Sequence, residues 1–276
     1  MKVLLLSDIH LCHIPWYGMS PEARMEKLVR DLCDEYEREP YEAVLMLGDY
    51  YYSLDYWEVG PLYGSYSNGG VSNTARFLRD YVKRFPCPAY FIPGNHEQYT
   101  HEDWERITGA KRSFVVTIGD AVFVMLDNFG ENLNAPVHNH GTYSFSDTGL
   151  IRNAIKQNPG KMVFLCAHDF ALGSERDEFK TLVREEDAII AMFAGHTHKS
   201  EIIWTNDEYG SKPLCRAGNY SYSSMPNPED SMWGWREIKI DGDKVTTAYV
   251  VPESMVNFGA GEVKIDSHRQ DAAELT

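Results

Sequence analysis

Long apolar runs are missing from this sequence. No stretch approaches the length of a membrane span, and near the N-terminus only Val3–Leu6 is continuously apolar. A spanning helix needs about 20 such residues and a signal peptide about 7–15, so neither is expected. Cysteine is sparse and scattered. Cys12, Cys33, Cys87, Cys166 and Cys215 are odd in number and form no CxxC pair, which argues against a zinc ribbon or a disulfide framework. Cys166 sits in an apolar run and reads as a buried thiol, and the usage fits a reducing compartment. Basic residues are also short, with 26 Lys and Arg against 41 Asp and Glu and a net charge of −15. An extended nucleic-acid or anionic-membrane surface would need clustered Lys and Arg, and is not expected. A phosphate substrate is still compatible, because bound metal ions reverse the field locally. The expectation is a cytoplasmic protein of enzyme size.

What the chain does have is a series of short buried-strand patterns. Val3–Leu6, Ala43–Leu47, Ala89–Ile92, Met162–Cys166 and Ala188–Ala194 are near-continuously apolar, as strands covered on both faces are. Helical patterns alternate with them. Ser20-Pro21-Glu22 supplies an N-cap, a first-turn proline and a first-turn acid for a helix to about Arg38. Further helices are predicted over Asn73–Arg84, His101–Thr108, Thr148–Gln157 and Ser174–Glu185. Ser113–Ile118 and Ala121–Asp127 flank Gly119-Asp120 as a hairpin. Beyond Gly195, Glu201–Thr205, Leu214–Arg216, Trp235–Ile240 and Lys244–Val250 look like antiparallel strands. The predicted fold class is α/β, two packed mixed β-sheets flanked by helices. Residues 1–251 read as one domain, and 252–276 as a polar tail whose role is open.

Each buried run ends in residues able to hold a metal: Ser7-Asp8-Ile9-His10, Gly48-Asp49, Gly94-Asn95-His96-Glu97, Ala167-His168-Asp169 and Gly195-His196-Thr197-His198. A single histidine after a strand means little, since buried histidines often satisfy only a local hydrogen bond. Five such ends on one sheet rim would gather their side chains in one place. Asp-x-His and His-x-His in extended backbone would project both side chains to one side. Glycine at 48, 94 and 195 would allow sharp turns and close backbone approach. Imidazole, carboxylate and amide oxygen suit Mn, Fe, Zn, Co or Ni. Asp8, His10, Asp49, Asn95, His168, His196 and His198 are too many donors for one tetrahedral ion and suit two ions sharing a carboxylate.

In their order and spacing these motifs resemble the calcineurin-like metallophosphoesterases, over residues 8–198. The resemblance implies a four-layer αββα sandwich holding two metal ions. Asp8, His10 and His198 would hold the first, Asn95, His168 and His196 the second, and Asp49 would bridge both. His96 would assist the leaving group rather than bind metal, with Glu97 orienting its neighbours. Two divalent ions less the charges of Asp8 and Asp49 leave about +2, enough to draw a phosphate to an acidic protein. A bridging water would then attack phosphorus in line. Asp169 reads either as a partner of His168 or as a solvated charge.

The sequence departs from the protein-phosphatase pattern GDxxDRG and RGNHE. Tyr52-Ser53 stands where Asp-Arg is expected, and Pro93 where an arginine precedes Gly94. Both phosphate-gripping arginines are absent, which points to the phosphodiesterase-like branches and a small phosphate-ester substrate, diester or monoester. Tyr50 and Tyr52 in the Tyr-rich stretch 50–66 are the candidate substrate contacts; the alternative is packing over the core edge or against another subunit. Residues 129–143 would form the opposite wall, with His138 and His140 read as surface histidines, and the aromatic segment 220–235 would contribute similarly. Two other functions stay open: a nuclease on short nucleic acid, and a protein-interaction scaffold of the same fold. Such scaffolds tend to lose donors, and none is missing here.

Overall fold

A computed structural model describes residues 1–11, 19–50, 73–97, 99–130, 142–220, 233–257 and 261–276. Two six-stranded sheets form the centre. In chain order the elements are β1 (Lys2–Leu6), α1 (Pro21–Arg38), β2 (Ala43–Met46), α2 (Asn73–Asp80), β3 (Ala89–Phe91), α3 (His101–Thr108), β4 (Phe114–Ile118) and β5 (Ala121–Leu126). There follow α4 (Thr148–Gln157), β6 (Met162–Ala167), α5 (Asp177–Glu185), β7 (Ile189–Ala194), β8 (Ser200–Trp204), β9 (Pro213–Ala217), β10 (Trp235–Asp241) and β11 (Lys244–Val251). Last come β12 (Ser254–Asn257), β13 (Glu262–Ile265) and β14 (His268–Glu274). The first sheet runs β14-β11-β10-β1-β2-β3 and the second β4-β5-β6-β7-β9-β8, both of mixed direction.

The continuous apolar runs follow from this layering. Val3 and Leu5 face the core between the sheets with Phe123, Phe164 and Phe193. Leu4 and Leu6, pointing the other way, pack with Met25, Leu28 and Leu32 of α1. On the far side of the second sheet, Val122, Val124 and Leu165 meet Ile151 of α4 and Phe179 and Leu182 of α5. A strand buried on both faces has no polar face to show, so alternation vanishes. Ser20 caps α1, its side chain accepting the Ala23 amide at 3.1 Å.

Three sequence expectations change. The helix over Asn73–Arg84 stops at Asp80, and Val82–Arg84 forms a separate 3₁₀ turn. The helix expected from Ser174 begins at Asp177, after Arg176 in extended backbone, and Glu175 instead accepts from the Ser146 amide and hydroxyl and from the Tyr143 hydroxyl. The strand near Leu214–Arg216 is not wholly antiparallel: β9 pairs parallel with β7 and antiparallel only with β8.

The described residues after 251 form strands. β12 and β13 pair with each other, and β14 forms the edge of the first sheet against β11, with a register shift between Thr247 and Tyr249. Leu275 joins the core between the sheets.

Candidate metal centre

The site lies where the two sheets' strand ends meet. β1, β2 and β3 run parallel in one sheet, and β6 and β7 run parallel in the other. Their carboxyl ends carry Asp8 and His10, Asp49, Asn95 and His96, His168, and His196 and His198. The sequence expectation of a single rim is therefore corrected: donors come from two rims facing each other. His168 shows the joint, its Nδ1–H donating across the sheets to the Leu47 carbonyl at 2.7 Å.

The backbone at these ends is not extended. Asp8, His10, Asp49, His196 and His198 all have positive φ, from 48° to 68°, and the only other described non-glycine residues to share this are Ser211 and Asp271. Left-handed backbone is uncommon outside glycine, and such strain persists only where surroundings over-determine it. The Asp-x-His and His-x-His pairs thus converge through paired left-handed turns, where extended backbone was expected. Backbone hydrogen bonds hold them: the Asp8 amide to the Gly48 carbonyl at 3.1 Å and the His10 amide to the Asp49 carbonyl at 3.0 Å. Glycine is required differently at each position. Gly48 itself has φ +100°, whereas a Cβ on Gly195 would meet Ser7 Oγ at 1.8 Å and one on Gly94 would meet Asp49 Oδ1 at 2.2 Å.

All seven proposed donors are brought together, in two groups. Donor atoms of Asp8, His10, Asp49 and His198 lie within 4.8 Å of one another, and so do those of Asp49, His168 and His196. Asn95 Oδ1 belongs with the second, 3.0 Å from both His168 Nε2 and His196 Nδ1. Asp49 Oδ2 faces both, 3.2 Å from His168 Nε2 and 3.9 Å from His10 Nε2. Asp8, His10, Asp49, Asn95 and His168 are buried, and His198 reaches the surface with 28% of its side chain exposed.

The donor set fits metal ions on observations of this chain alone. Asp8 Oδ1 is buried without a hydrogen-bond donor, 3.3 Å from His198 Nε2. Asn95 Oδ1, His168 Nε2 and His196 Nδ1 converge within 3.3 Å of one another, and all three become lone-pair donors once the His168 proton is displaced, a set that suits a cation. Titration follows the same logic. Burial pushes His10 down to about 3, against the opposing charge of Asp49, so its ring is neutral and can donate a lone pair. Burial, aided by the His168 charge, lowers His196 as well. Burial opposes ionisation of Asp8 and Asp49, but the surrounding histidines outweigh it and keep both below the usual carboxylate range. For His168, burial would lower the pKa, yet the charge and hydrogen bond of Asp49 push it up to about 10. Without metal, a proton on His168 does part of a cation's work.

His96 is almost buried at the same place, Nε2 3.8 Å from Asp49 Oδ2 and its ring 5.4 Å from that of His10. Its amide donates to Asp49 Oδ1 at 3.1 Å. Glu97 is fully buried and accepts three amides: Gly94 at 2.7 Å, Asp49 at 2.8 Å and Tyr50 at 2.7 Å. It locks the Asp49 turn to the Asn95-His96 turn. Burial and the nearby Asp49 charge push it up to about 8, while the three amides favour its anion.

Other expectations are corrected. Tyr50 is fully buried and cannot present its ring to a substrate: its single O–H is shared between the carbonyls of Ile92 at 2.6 Å and Met46 at 2.9 Å, and its ring stacks on Phe77. Tyr52, the rest of the Tyr-rich stretch, His138 and His140 lie outside the described residues. Asp169 is half-buried and pairs with Arg216 rather than with the His168 ring. Of the expected wall 129–143, residues 131–141 lie outside the described residues; the Phe129 ring centroid lies 5.6 Å from that of His168 and 5.8 Å from that of His196. Of the aromatic segment 220–235, Tyr220, Trp233 and Trp235 are buried in the core under α1. Sequence reasoning missed Arg216; an arginine closing an apolar run before Ala217 was the available signal.

Two six-stranded sheets, helices outside and donor clusters at the joined strand ends define the metallophosphoesterase class of α/β sandwich. The family model for calcineurin-like phosphoesterases matches residues 1–200, and the chain belongs to that family. No curated protein matches by sequence. Among solved structures, one similar fold is the purple acid phosphatase PPD1 of yellow lupin seeds, at 11% identity and TM-score 0.52, covering 98% of this chain and 53% of that one. Another is GAP50, the anchor in the inner membrane complex of Plasmodium, at 12% identity and TM-score 0.51, covering 98% and 88%. Vps29 of Entamoeba histolytica, in complex with zinc, matches at 12% identity and TM-score 0.47, covering 100% of each chain. Such identities show the fold alone. No helix among the described residues is long and apolar enough to cross a membrane.

Proposed function

We propose that this protein is a two-metal phosphoesterase hydrolysing a phosphodiester or phosphomonoester of a small molecule, in the cytoplasm. The observation that carries this reading is Asp49, whose Oδ2 faces both donor groups. Asp8, His10 and His198 would hold one ion, Asn95, His168 and His196 the other, and Asp49 would be common to both. Mn, Fe, Zn, Co and Ni all suit these ligands. Bound there, the pair supplies Lewis acidity toward phosphoryl oxygens and a water made acidic enough to act as nucleophile.

The chain's own groups do the rest. The Leu47 carbonyl fixes the His168 ring by accepting its Nδ1–H, which leaves Nε2 directed into the second group. Glu97 and the His96 amide fix the Asp49 carboxylate and its turn. His96 Nε2, 3.8 Å from Asp49 Oδ2, is placed to pass a proton to the departing alkoxide. Phe129 packs its ring against those of His168 and His196.

A net charge of −15 favours a small substrate over a nucleic acid, and a full donor set favours catalysis over a scaffold role. The test is hydrolysis of bis-p-nitrophenyl phosphate and p-nitrophenyl phosphate by the purified protein loaded with Mn(II). Turnover of neither overturns the enzymatic reading.

A further inference from the structure

Arg216 is a strand residue, 8% exposed, with no place in the family's motifs as they stand here. It lies opposite Ala194 in the parallel β7–β9 ladder, one residue before the turn that bears His196. One guanidinium nitrogen, Nη1, bridges two acceptors, Asp169 Oδ1 and the Gly195 carbonyl at 3.1 Å. Asp169 follows His168 in sequence, and Gly195 precedes His196. The two turns are joined directly as well, the Gly195 amide donating to the His168 carbonyl at 2.9 Å. The guanidinium therefore clamps together the backbone that carries both histidines of the second donor group.

The clamp is itself held from behind. Arg236, fully buried, donates from Nε to the Arg216 carbonyl at 2.7 Å and from Nη2 to Ser200 Oγ at 2.8 Å. Ser200 in turn donates to Asp271 of the C-terminal edge strand at 2.6 Å. His196, with φ 68°, sits in backbone that relaxes unless its surroundings constrain it.

We propose that Arg216 is a positioning residue for the second metal, setting that ion's affinity by locking the His168 and His196 turns through Asp169 and the Gly195 carbonyl. The inference rests on the two-ion reading above. Groups that orient ligands without touching the metal are worth roughly 10–100-fold in metal affinity. One nitrogen serves both acceptors, so an ammonium can take its place in part, while the planar guanidinium loses less freedom on being fixed there.

The experiment is Mn(II) titration of wild type, Arg216→Gln, Arg216→Lys and Asp169→Asn, followed by calorimetry and by the EPR signal of free Mn(II). In Arg216→Gln one of two equivalents is expected to weaken by about 10-fold or more and the other to stay unchanged. Arg216→Lys should recover part of the loss, and Asp169→Asn, which leaves every strand residue intact, should show a smaller loss at the same equivalent. Asp169→Asn carries the test if Arg216→Gln does not fold. Unchanged affinities, equal weakening of both equivalents, or no recovery by lysine overturns the proposal. Wild-type protein binding fewer than two equivalents removes the two-ion reading and this inference together; two equivalents with unaffected variants removes this inference alone.

Discussion

Glu97 accepts the backbone amide of Asp49 at 2.8 Å, from a position where neither is open to solvent. With the amides of Gly94 and Tyr50, this carboxylate fastens two strand-end turns whose side chains would share a metal pair. Glu97→Gln keeps the shape but turns an N–H donor toward at least one amide. Each orphaned buried donor costs about 1–3 kcal/mol. A lower urea midpoint together with weaker Mn(II) binding is the expected outcome; unchanged values for both would show that the latch has no energetic role.

Asp49→Ala should lower occupancy of both ions, because Asp49 Oδ2 faces both donor groups. His196→Ala should lower only one. Metal content by mass spectrometry after dialysis separates the two variants. Loss of a single equivalent in Asp49→Ala would refute bridging.

His168 gives a pH dependence with a definite sign. In the metal-free protein Asp49 outweighs burial and raises His168 from 6.5 to about 10. A base raised on folding contributes stability that is full below pH 6.5 and is lost as pH climbs toward 10. Metal must displace that proton, so Mn(II) affinity should rise over the same interval. At pH 7.5 in weak buffer, titration should release about one proton per protein from this site. No proton release, with a flat affinity profile, would contradict it.

Gly195→Ala should distort the centre, since a Cβ there would lie 1.8 Å from Ser7 Oγ and 2.6 Å from Asp8 Oδ2. Gly160→Ala is the control: its φ is +77° with nothing within 4 Å, so only the left-handed penalty of about 1–2 kcal/mol applies. Denaturation midpoints and metal content together should show loss of both properties at 195 and of stability alone at 160.

Much of the centre was legible in sequence. The donors stand at the ends of apolar runs, in an order that resembles one family, and four of the five runs report strands buried on both faces; Ala89–Ile92 instead supplies β3, a half-buried edge strand. Tyr50 shows where that legibility stopped. Beside Asp49 it looks like a substrate contact, yet its hydroxyl is taken by the Met46 and Ile92 carbonyls inside the core. Asp169 likewise looks like a partner for the adjacent His168 ring, whose Nδ1–H goes instead to Leu47 in the other sheet.

Residue type and local period are properties of short segments, so the sequence by itself determined the strand ends, their chemistry and the acidity of the chain. Only the tertiary structure decided that two rims meet, that five donors reach the centre through left-handed backbone, and that β14 belongs to the first sheet. It also decided that Arg216 clamps the second donor group. These depend on which distant segments lie side by side, and hydrogen bonds between the sheets and contacts at Gly94 and Gly195 settle that only once the chain has packed.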